Sequence, residues 1–142
     1  MIEITEATSV DEPLMEAMQR LIPQLSSSNP PPGPAEVADI VGAPGTFQFV
    51  AWDDGVIVGL LTLATFRIPT GLQARIEDVV VDEAARGKGV GAALTHAAIE
   101  RARSLGAKSI GLTSRPSREA ANRLYQRMGF ERRDTNVYRM KL

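Results

Sequence analysis

The sequence predicts one domain of the α/β (α+β) class, in which helices flank a mixed, mainly antiparallel central sheet. The 142 residues are 44% hydrophobic and 23% charged, which suits a single globular domain over residues 1–142. Strand-like and helix-like hydrophobic periods follow one another along the chain, with turn residues between them. The predicted order of elements is β-α-α-β-β-β-α-β-α-β-β.

The first 41 residues predict one strand, two helices and a loop. Ile2–Ala7 alternates apolar and polar residues, as a strand does. Asp11 can cap a helix whose apolar residues recur at helical spacing. The segment Ser26–Pro34 reads SSSNPPPGP, and its serines and prolines predict a loop. A second short helix is predicted over Pro34–Val41.

Three strands joined by turns are predicted next. Thr46–Trp52 and Val56–Phe66 are apolar runs rich in β-forming residues, and the Asp-Asp-Gly between them is a hairpin signal. A second turn, Ile-Pro-Thr-Gly at 68–71, leads into a strand over Ala74–Val81. Consecutive strands with short turns form an antiparallel meander.

After Asp82 the pattern changes to helices that alternate with shorter strands. Apolar residues at helical spacing and glycines just beyond them mark where each helix ends. The predicted elements are a helix over Ala92–Leu105, a strand over Lys108–Ser114, a helix from Ser117 to Gly129, and final strands over Phe130–Arg133 and Asn136–Met140.

Composition excludes several classes of function. The chain has no Cys, which excludes disulfides, thiolate ligands and an acyl-cysteine intermediate. With only one His, His96, the chain cannot form a multi-histidine zinc site, so no metal is predicted. His96 itself is expected at the surface. No apolar run approaches the roughly 18 residues that span a bilayer, and the N-terminus lacks a basic signal segment. We therefore expect a cytoplasmic protein without a membrane partner.

Charge is divided unevenly along the chain. Residues 1–85 carry 3 Lys and Arg against 13 Asp and Glu (3 − 13 = −10), and residues 86–142 carry 13 against 4 (13 − 4 = +9). The basic half predicts an anionic ligand, although attraction between the two halves would also explain the asymmetry. Nucleic acid is not predicted, because the cations are dispersed and aromatic residues make up only 5% of the chain. A homodimer is left open.

The segment Asp82–Gly91, DEAARGKGVG, contains the clearest chemical signal. Glycines between a predicted strand and a helix N-terminus expose backbone amides, which bind anions, and Arg86 and Lys88 add positive charge. The spacing matches neither a P-loop nor a Rossmann fingerprint. An ordinary flexible turn would not require the two cations, so the segment predicts a phosphate or pyrophosphate site.

This segment resembles motif A of the GCN5-related N-acetyltransferases, [QR]-x-x-G-x-[GA], through Arg86, Gly89 and Gly91. The stretch NRLYQRMGF, residues 122–130, is similar to motif B of that family. Together with the order of elements, the resemblance covers nearly the whole chain. One departure is Arg118, which stands where many members have Asn, so either Arg118 or Asn122 is expected to contact the cofactor.

The resemblance implies that acetyl-CoA is the cosubstrate, bound along the strand and the glycine segment. An acetyl group would pass directly to a primary amine of a small molecule or peptide in a ternary complex. The Ser26–Pro34 loop is where the family varies its acceptor pocket, and the acidic half favours a cationic acceptor. The residues implied in cofactor binding are Val79, Val80, Val81, Arg86, Gly87, Lys88, Gly89, Val90, Gly91, Ala92, Asn122 and Tyr125.

Two residues are candidates for proton transfer. Strand alternation predicts that Glu77 shares its face with Val79 and Val81 and that Asp78 points away, which favours Glu77 as the general base. Tyr125 is the candidate acid toward the leaving thiolate. A salt-bridged Glu77, a water chain acting as base and a core role for Tyr125 are the structural alternatives. The alternative function is a CoA-binding module without catalysis.

Overall fold

The structure, a computed structural model, describes all residues from Met1 to Leu142. The chain divides into two compact units, Met1–Leu112 and Thr113–Leu142. A single domain over the whole chain therefore stays a prediction. In order, the elements are β1 (Ile2–Glu6), α1 (Glu12–Leu25), α2 (Pro34–Gly42), β2 (Thr46–Asp53), β3 (Val56–Ile68), β4 (Gly71–Val81), a short 3-10 turn (Glu83–Ala85), α3 (Val90–Ser104), β5 (Ile110–Gly111) and α4 (Glu119–Arg127).

The first unit contains a five-stranded sheet in the order β1-β2-β3-β4-β5. The first four strands are antiparallel neighbours, and β5 is parallel to β4. The predicted meander and the mixed, mainly antiparallel sheet with flanking helices are therefore confirmed. The strand predicted over Lys108–Ser114 is shorter in the structure, where only Ile110–Gly111 pairs.

Helix α1 covers one face of this sheet. Its N-terminus is capped as predicted, because Asp11 Oδ1 accepts a hydrogen bond from the Leu14 N–H at 3.0 Å. The apolar side chains of α1 that face the sheet are buried, and burying each large one contributes about 1.5–3 kcal/mol, which holds the helix on the sheet. The buried cluster comprises Leu14, Ala17, Met18 and Leu21 of α1, Val37 of α2, and Val50, Ile57, Leu60 and Val80 of the sheet.

Helix α3 packs on the opposite face, and Gly59 of β3 makes its close approach possible. A Cβ atom at Gly59 would lie 2.9 Å from Val90 Cγ1 and 3.0 Å from Leu94 Cδ1. Gly59 directly precedes Leu60 in the strand, and because side chains alternate along a strand, its position faces away from α1. The first turn of α3 therefore lies directly against the strand that pairs with β4.

A β-bulge interrupts the pairing of β3 with β4. Leu60 pairs with Val80 and Thr62 with Glu77, so two steps along β3 (62 − 60) oppose three along β4 (80 − 77). The extra residue brings Asp78 to a φ of +49°, the left-handed region that non-glycine residues rarely adopt. The bulge decides which side chains of β4 share a face.

The bulge makes one prediction wrong. Because Leu60 and Thr62 point to the same face of β3, their partners Val80 and Glu77 also share that face. Val81 lies opposite Gly59, on the side of α3. Glu77 therefore does not share its face with Val81, since simple alternation breaks where the extra residue is inserted.

The second unit contains α4 and no strand. The strands predicted over Phe130–Arg133 and Asn136–Met140 are absent, and residues 128–142 form no helix or strand. Tyr138 and Met140 are exposed, and Val137 is 74% exposed. An alternating sequence becomes a strand only where a neighbouring strand pairs with it and its apolar face is covered. Residues 128–142 meet neither condition. None of the helices has the length and apolar character needed to cross a bilayer.

Candidate active site

The segment between β4 and α3 begins with a capped turn. Asp82 ends the strand pairing by donating its N–H to Val58 O at 2.8 Å. Its side chain accepts a hydrogen bond from the Ala84 N–H at 3.2 Å and so starts the 3-10 turn. Arg86 through Gly89 then form a short exposed loop before α3 begins at Val90. The loop is thus attached directly to the end of the central strand.

Two glycines give this loop its shape. Gly87 has a φ of +81° and Gly89 a φ of +79°, a region in which side chains with a Cβ are strained. Nothing lies within 4 Å of a Cβ built at either position. Glycine is therefore required here by the backbone conformation, and the surrounding space is open to a ligand.

The N-terminus of α3 offers unpaired amide groups. The N-cap residue is Gly89, which has no side chain to accept a hydrogen bond from these amides, and no acidic residue lies in the first turn. The first amide to pair back is that of Ala93, which donates to Gly89 O at 3.0 Å. The N–H groups of Val90, Gly91 and Ala92 are left without intrahelical partners and point toward the positive end of the helix dipole. Such an end binds anions.

The two loop cations differ in their surroundings. Lys88 Nζ lies 3.3 Å from Asp53 Oδ2 at the turn between β2 and β3, and Asp53 also lies 3.6 Å from the Met1 amino group. Arg86 is exposed and makes no salt bridge. The guanidinium of Arg86 is therefore free to pair with an anion, whereas the ammonium of Lys88 already pairs with one carboxylate.

Side chains from α1 hold the beginning of the loop. Arg20 Nη1 donates to Asp82 Oδ2 at 2.7 Å, and Arg20 Nη2 donates to Ile57 O at 2.8 Å. Gln24 Oε1 accepts from the Glu83 N–H at 3.0 Å, and Gln24 Nε2 lies 3.4 Å from Asp82 Oδ1. Sequence patterns do not reveal this network, whose only signal is that Arg20 is one of three basic residues in an acidic half.

This network sets the charge of Asp82. Burial alone would raise the pKa of Asp82, but the Ala84 N–H, the Gln24 amide and the Arg20 guanidinium together lower it below its ordinary value. The hydrogen bond with Glu16 is the largest cause that raises the pKa of Arg20, and the charge of Asp82 and its hydrogen bond add to the rise. Asp82 is thus held ionised at neutral pH at the junction of β4 and the loop.

The edge of β4 that faces β5 is largely open. Only Ala74 and Arg75 pair with β5, through Ile110 and Gly111. From Ile76 to the end of β4 this edge has no strand partner. Unpaired N–H and C=O groups along an extended strand are suited to an extended polar chain that pairs as another strand would.

Glu77 lies where the parallel pairing ends. Its side chain is 52% exposed, and Arg75 Nε lies 3.9 Å from its Oε2. Thr62 is its partner across β3. Asp78 is exposed as well and occupies the bulge itself. Both carboxylates are thus accessible. Of the two residues, only Glu77 has a cross-strand partner, Thr62, on the face of α1.

Tyr125 lies in α4 of the second unit. It is buried, and its ring makes an edge-to-face contact with Phe130 at 5.8 Å between centroids. Burial raises the pKa of Tyr125, and the nearby positive charge of Arg118 offsets only part of this shift. The phenol therefore keeps its proton at neutral pH and is suited to donate rather than accept one.

The two candidates for the second cofactor contact also lie around α4. Asn122 Nδ2 donates to Arg115 O at 3.0 Å, which ties α4 to the residues before it. Arg118 is the N-cap residue of α4 and makes no side-chain cap. The choice between Asn122 and Arg118 as a cofactor contact stays open. His96 is exposed on α3, as expected.

Comparison with known proteins agrees with this geometry. The model of the acetyltransferase (GNAT) family matches residues 14–130. A putative acetyltransferase from Agrobacterium tumefaciens str. C58 is 26% identical, with a TM-score of 0.86 over 98% of this chain and 99% of that chain. An acetyltransferase from Trypanosoma brucei is 27% identical, with a TM-score of 0.81 over the full length of both chains.

A third solved structure shares the fold at lower identity. AAC(6')-Iy in complex with the bisubstrate analog CoA-S-monomethyl-acetylneamine is 20% identical, with a TM-score of 0.80 over 100% of this chain and 99% of that chain. No curated protein has a sequence significantly similar to this chain. The family model nevertheless spans most of the sequence, including β4, the glycine loop and α4. The chain therefore belongs to the acetyltransferase (GNAT) family.

Proposed function

We propose that this protein transfers an acetyl group from acetyl-CoA to a primary amine of a small molecule or peptide, directly within a ternary complex. The observation that carries the proposal is the continuous arrangement of an open strand edge, a positive-φ glycine loop and an uncapped helix N-terminus. Membership of the acetyltransferase family supplies the reaction class. AAC(6')-Iy, which shares this fold, has a CoA-containing analog bound.

The loop is suited to a pyrophosphate. The amides of Val90, Gly91 and Ala92 would donate to its oxygens, and Gly87 and Gly89 leave room for the backbone to approach. Arg86 and Lys88 would neutralise its charge. On β4, the open edge formed by Val79, Val80 and Val81 would pair with the amide groups of the pantetheine arm.

The chemistry requires two protons to leave the ammonium nitrogen and one proton to reach the departing thiolate. Acetyl-CoA would supply an acyl group activated as a thioester. Glu77 is the proposed base, which accepts a proton from the ammonium directly or through water, so that nitrogen can bond to the acyl carbon as the carbon–sulfur bond breaks. Strand amides near Val79–Val81 would donate to the acyl oxygen. Tyr125, proposed from motif B, would return a proton to the thiolate.

The acceptor is proposed to be cationic. Residues 1–85 carry a net charge of −10, and Glu77 and Asp78 add exposed carboxylates beside the open edge of β4. Aminoglycoside acetyltransferases are among the structures with this fold, and aminoglycosides carry several amines. Charge attraction would favour amines over acids as acceptors. The Ser26–Pro34 loop is proposed to contribute to their selection.

Calorimetry with acetyl-CoA, CoA and ATP tests the cofactor assignment. We expect acetyl-CoA and CoA to bind and ATP to bind more weakly, since it lacks the pantetheine arm that β4 would pair with. Absence of CoA binding at hundreds of micromolar would overturn the proposal. Screening a panel of amines by release of free thiol then identifies the acceptor. Binding without thiol release from any amine would favour a CoA-binding module without catalysis.

A further inference from the structure

A row of three polar side chains crosses the sheet on the face of α1. Gln48 of β2 pairs with Thr62 of β3, and Thr62 pairs with Glu77 of β4. The neighbouring row on this face, formed by Val50, Leu60 and Val80, is apolar and buried. Polar side chains in register on three strands therefore begin where the apolar cluster under α1 ends.

The orientation of the Gln48 amide follows from its contacts. Gln48 is 3% exposed, and its Nε2 donates to Phe49 O at 3.3 Å and to Leu61 O at 3.2 Å. A flipped amide would put its oxygen against two carbonyl oxygens, which cannot donate. Oε1 therefore faces Thr62, and it can only accept.

This orientation commits the Thr62 proton. Thr62 Oγ1 lies 2.9 Å from Gln48 Oε1, so the hydroxyl must donate to the amide oxygen. A threonine hydroxyl has one proton and two lone pairs, so any further partner of Thr62 must be a donor. Thr62 is half-buried, and Glu77, also an acceptor when ionised, is its neighbour across the strand pair. Paired residues have Cβ atoms about 4.5–5.5 Å apart.

Two acceptors side by side fit a nitrogen with several N–H groups. We propose that Thr62, oriented by Gln48, binds the acceptor nitrogen next to Glu77 and so makes the site specific for primary amines. Thr62 is a substrate-binding residue in this assignment, and Gln48 is a positioning residue. The inference rests on the proposed function, because it concerns the acceptor of that same reaction.

A count of protons explains the specificity. A primary ammonium has three N–H bonds. One proton leaves to Glu77 or water before attack, and a second leaves as the amide forms and balances the proton that the departing thiolate gains. The third stays on the amide nitrogen and can donate to Thr62 throughout. A secondary ammonium loses both of its protons, and an alcohol loses its only one. Neither can keep the bond to Thr62 Oγ1, which would then be left without a donor.

Thr62→Val tests the proposal, because valine keeps the shape and removes the oxygen. We expect kcat/KM for a primary amine to fall by about ten- to a hundred-fold, the range for a lost hydrogen bond to a charged group. The KM for acetyl-CoA should not change. Preference for the primary amine over its N-methyl derivative should fall as well, and Thr62→Ser should restore both properties.

Thr65→Val is the matched control. Thr65 lies on the same strand, and its hydroxyl also bonds inside the protein, donating to Gly45 O at 3.0 Å. The inference is wrong, while the proposed function stands, if Thr62→Val and Thr65→Val lower kcat/KM for the primary amine by the same factor. It is also wrong if Thr62→Val raises the KM for acetyl-CoA as much as it lowers kcat/KM for the amine. A wild-type enzyme that acetylates primary and N-methyl amines equally well also overturns it, without any variant. A wild type that binds no acetyl-CoA fails the proposed function itself.

Discussion

The bulge of β4 and the glycine loop that follows it bend the same stretch of backbone in two different ways. The bulge brings the non-glycine residue Asp78 to a φ of +49° inside a paired strand, whereas Gly87 and Gly89 adopt φ values of +81° and +79° in an unpaired loop. The bulge is held by strand pairing on both of its sides. The loop is held by side chains instead, by Arg20 and Gln24 at its beginning and by the exposed pair of Lys88 and Asp53.

The difference lies in which groups each region exposes. The bulge reorders side chains, so that Glu77 joins Thr62 on the face of α1. The loop instead leaves main-chain amides free at the start of α3. A carboxylate side chain can accept a proton, whereas a main-chain N–H group can only donate a hydrogen bond. We therefore expect changes at the bulge to alter the rate of the chemical step and changes at the loop to alter cofactor affinity.

The largest expected effect is at the bulge. Glu77→Gln should lower kcat by about 10²–10⁴-fold, since the base is lost, and leave acetyl-CoA affinity nearly intact. The loss should shrink as pH rises, because more of the amine arrives neutral. A pH profile of kcat and calorimetry measure the two effects. Asp78→Asn is the control, and wild-type kcat in Glu77→Gln with chemistry rate-limiting would move the role to Asp78 or water.

At the loop we expect an effect on affinity instead. Gly89→Val strains a φ of +79° and puts a branched side chain where the backbone should approach a pyrophosphate, so acetyl-CoA binding should weaken by about 1–3 kcal/mol. Calorimetry measures it. Gly106→Val is the matched control, because Gly106 has a φ of +82° and open space around its Cβ at the other end of α3. Equal affinity in the two variants would contradict the loop assignment.

The anchor of the loop can be weakened separately. Arg20→Met should cost about 1–2 kcal/mol of unfolding free energy at pH 7, through lost hydrogen bonds to Asp82 and Ile57 O. The pKa of Asp82 is lowered in the folded state, so its share of this stability is present above the unfolded carboxyl pKa and is lost as pH falls through the folded value. Urea unfolding at pH 7 and below pH 4 measures this, with exposed Arg67→Met as control.

Tyr125 provides a contrast with Glu77 in pH dependence. Tyr125→Phe should lower kcat by about tenfold, since only protonation of the leaving thiolate is affected. Raising the pH should not restore the rate, because the defect does not concern the amine. A profile for Tyr125→Phe that recovers at high pH, as we expect for Glu77→Gln, would remove the distinction between the two roles.

The smallest expected effect concerns the bulge backbone itself. Asp78→Gly should change the free energy of unfolding by less than about 1 kcal/mol, because relief of the positive φ offsets the greater flexibility of glycine in the unfolded chain. Asp78→Val should cost about 1–3 kcal/mol at the same position. Thermal unfolding of the two variants measures the difference. Similar stability of both would mean that strand pairing does not impose this conformation.

Several parts of the structure were predictable because their signals are local. The Asp-Asp-Gly turn defines the hairpin between β2 and β3 through three neighbouring residues. The cap at Asp11 and the apolar stripe behind it define α1 in the same way. The glycine loop is local too, since glycine is needed wherever φ is positive. The matched family spans residues 14–130, which agrees with the resemblance found in these motifs.

Other parts depend on residues that are distant in sequence. Arg20 and Asp82 are 62 positions apart and meet only because α1 lies across the end of β4. Gln48 and Thr62 are 14 positions apart, and their hydrogen bond depends on strand register. The local sequence around these residues does not predict their partners. Hydrophobic periodicity predicts which face a side chain lies on, but not which strand lies beside it.

The sequence alone predicts the order of the helices and strands through α4, a glycine loop suited to an anion, and the family. Two further features follow from tertiary pairing and not from the sequence pattern: Glu77 faces α1 together with Val80, and residues 128–142 form no strand. The physical reason is the same in both cases. A strand is defined by its hydrogen bonds to a neighbour, so one inserted residue reverses the face of those that follow it, and a missing neighbour leaves an alternating sequence without a sheet to join.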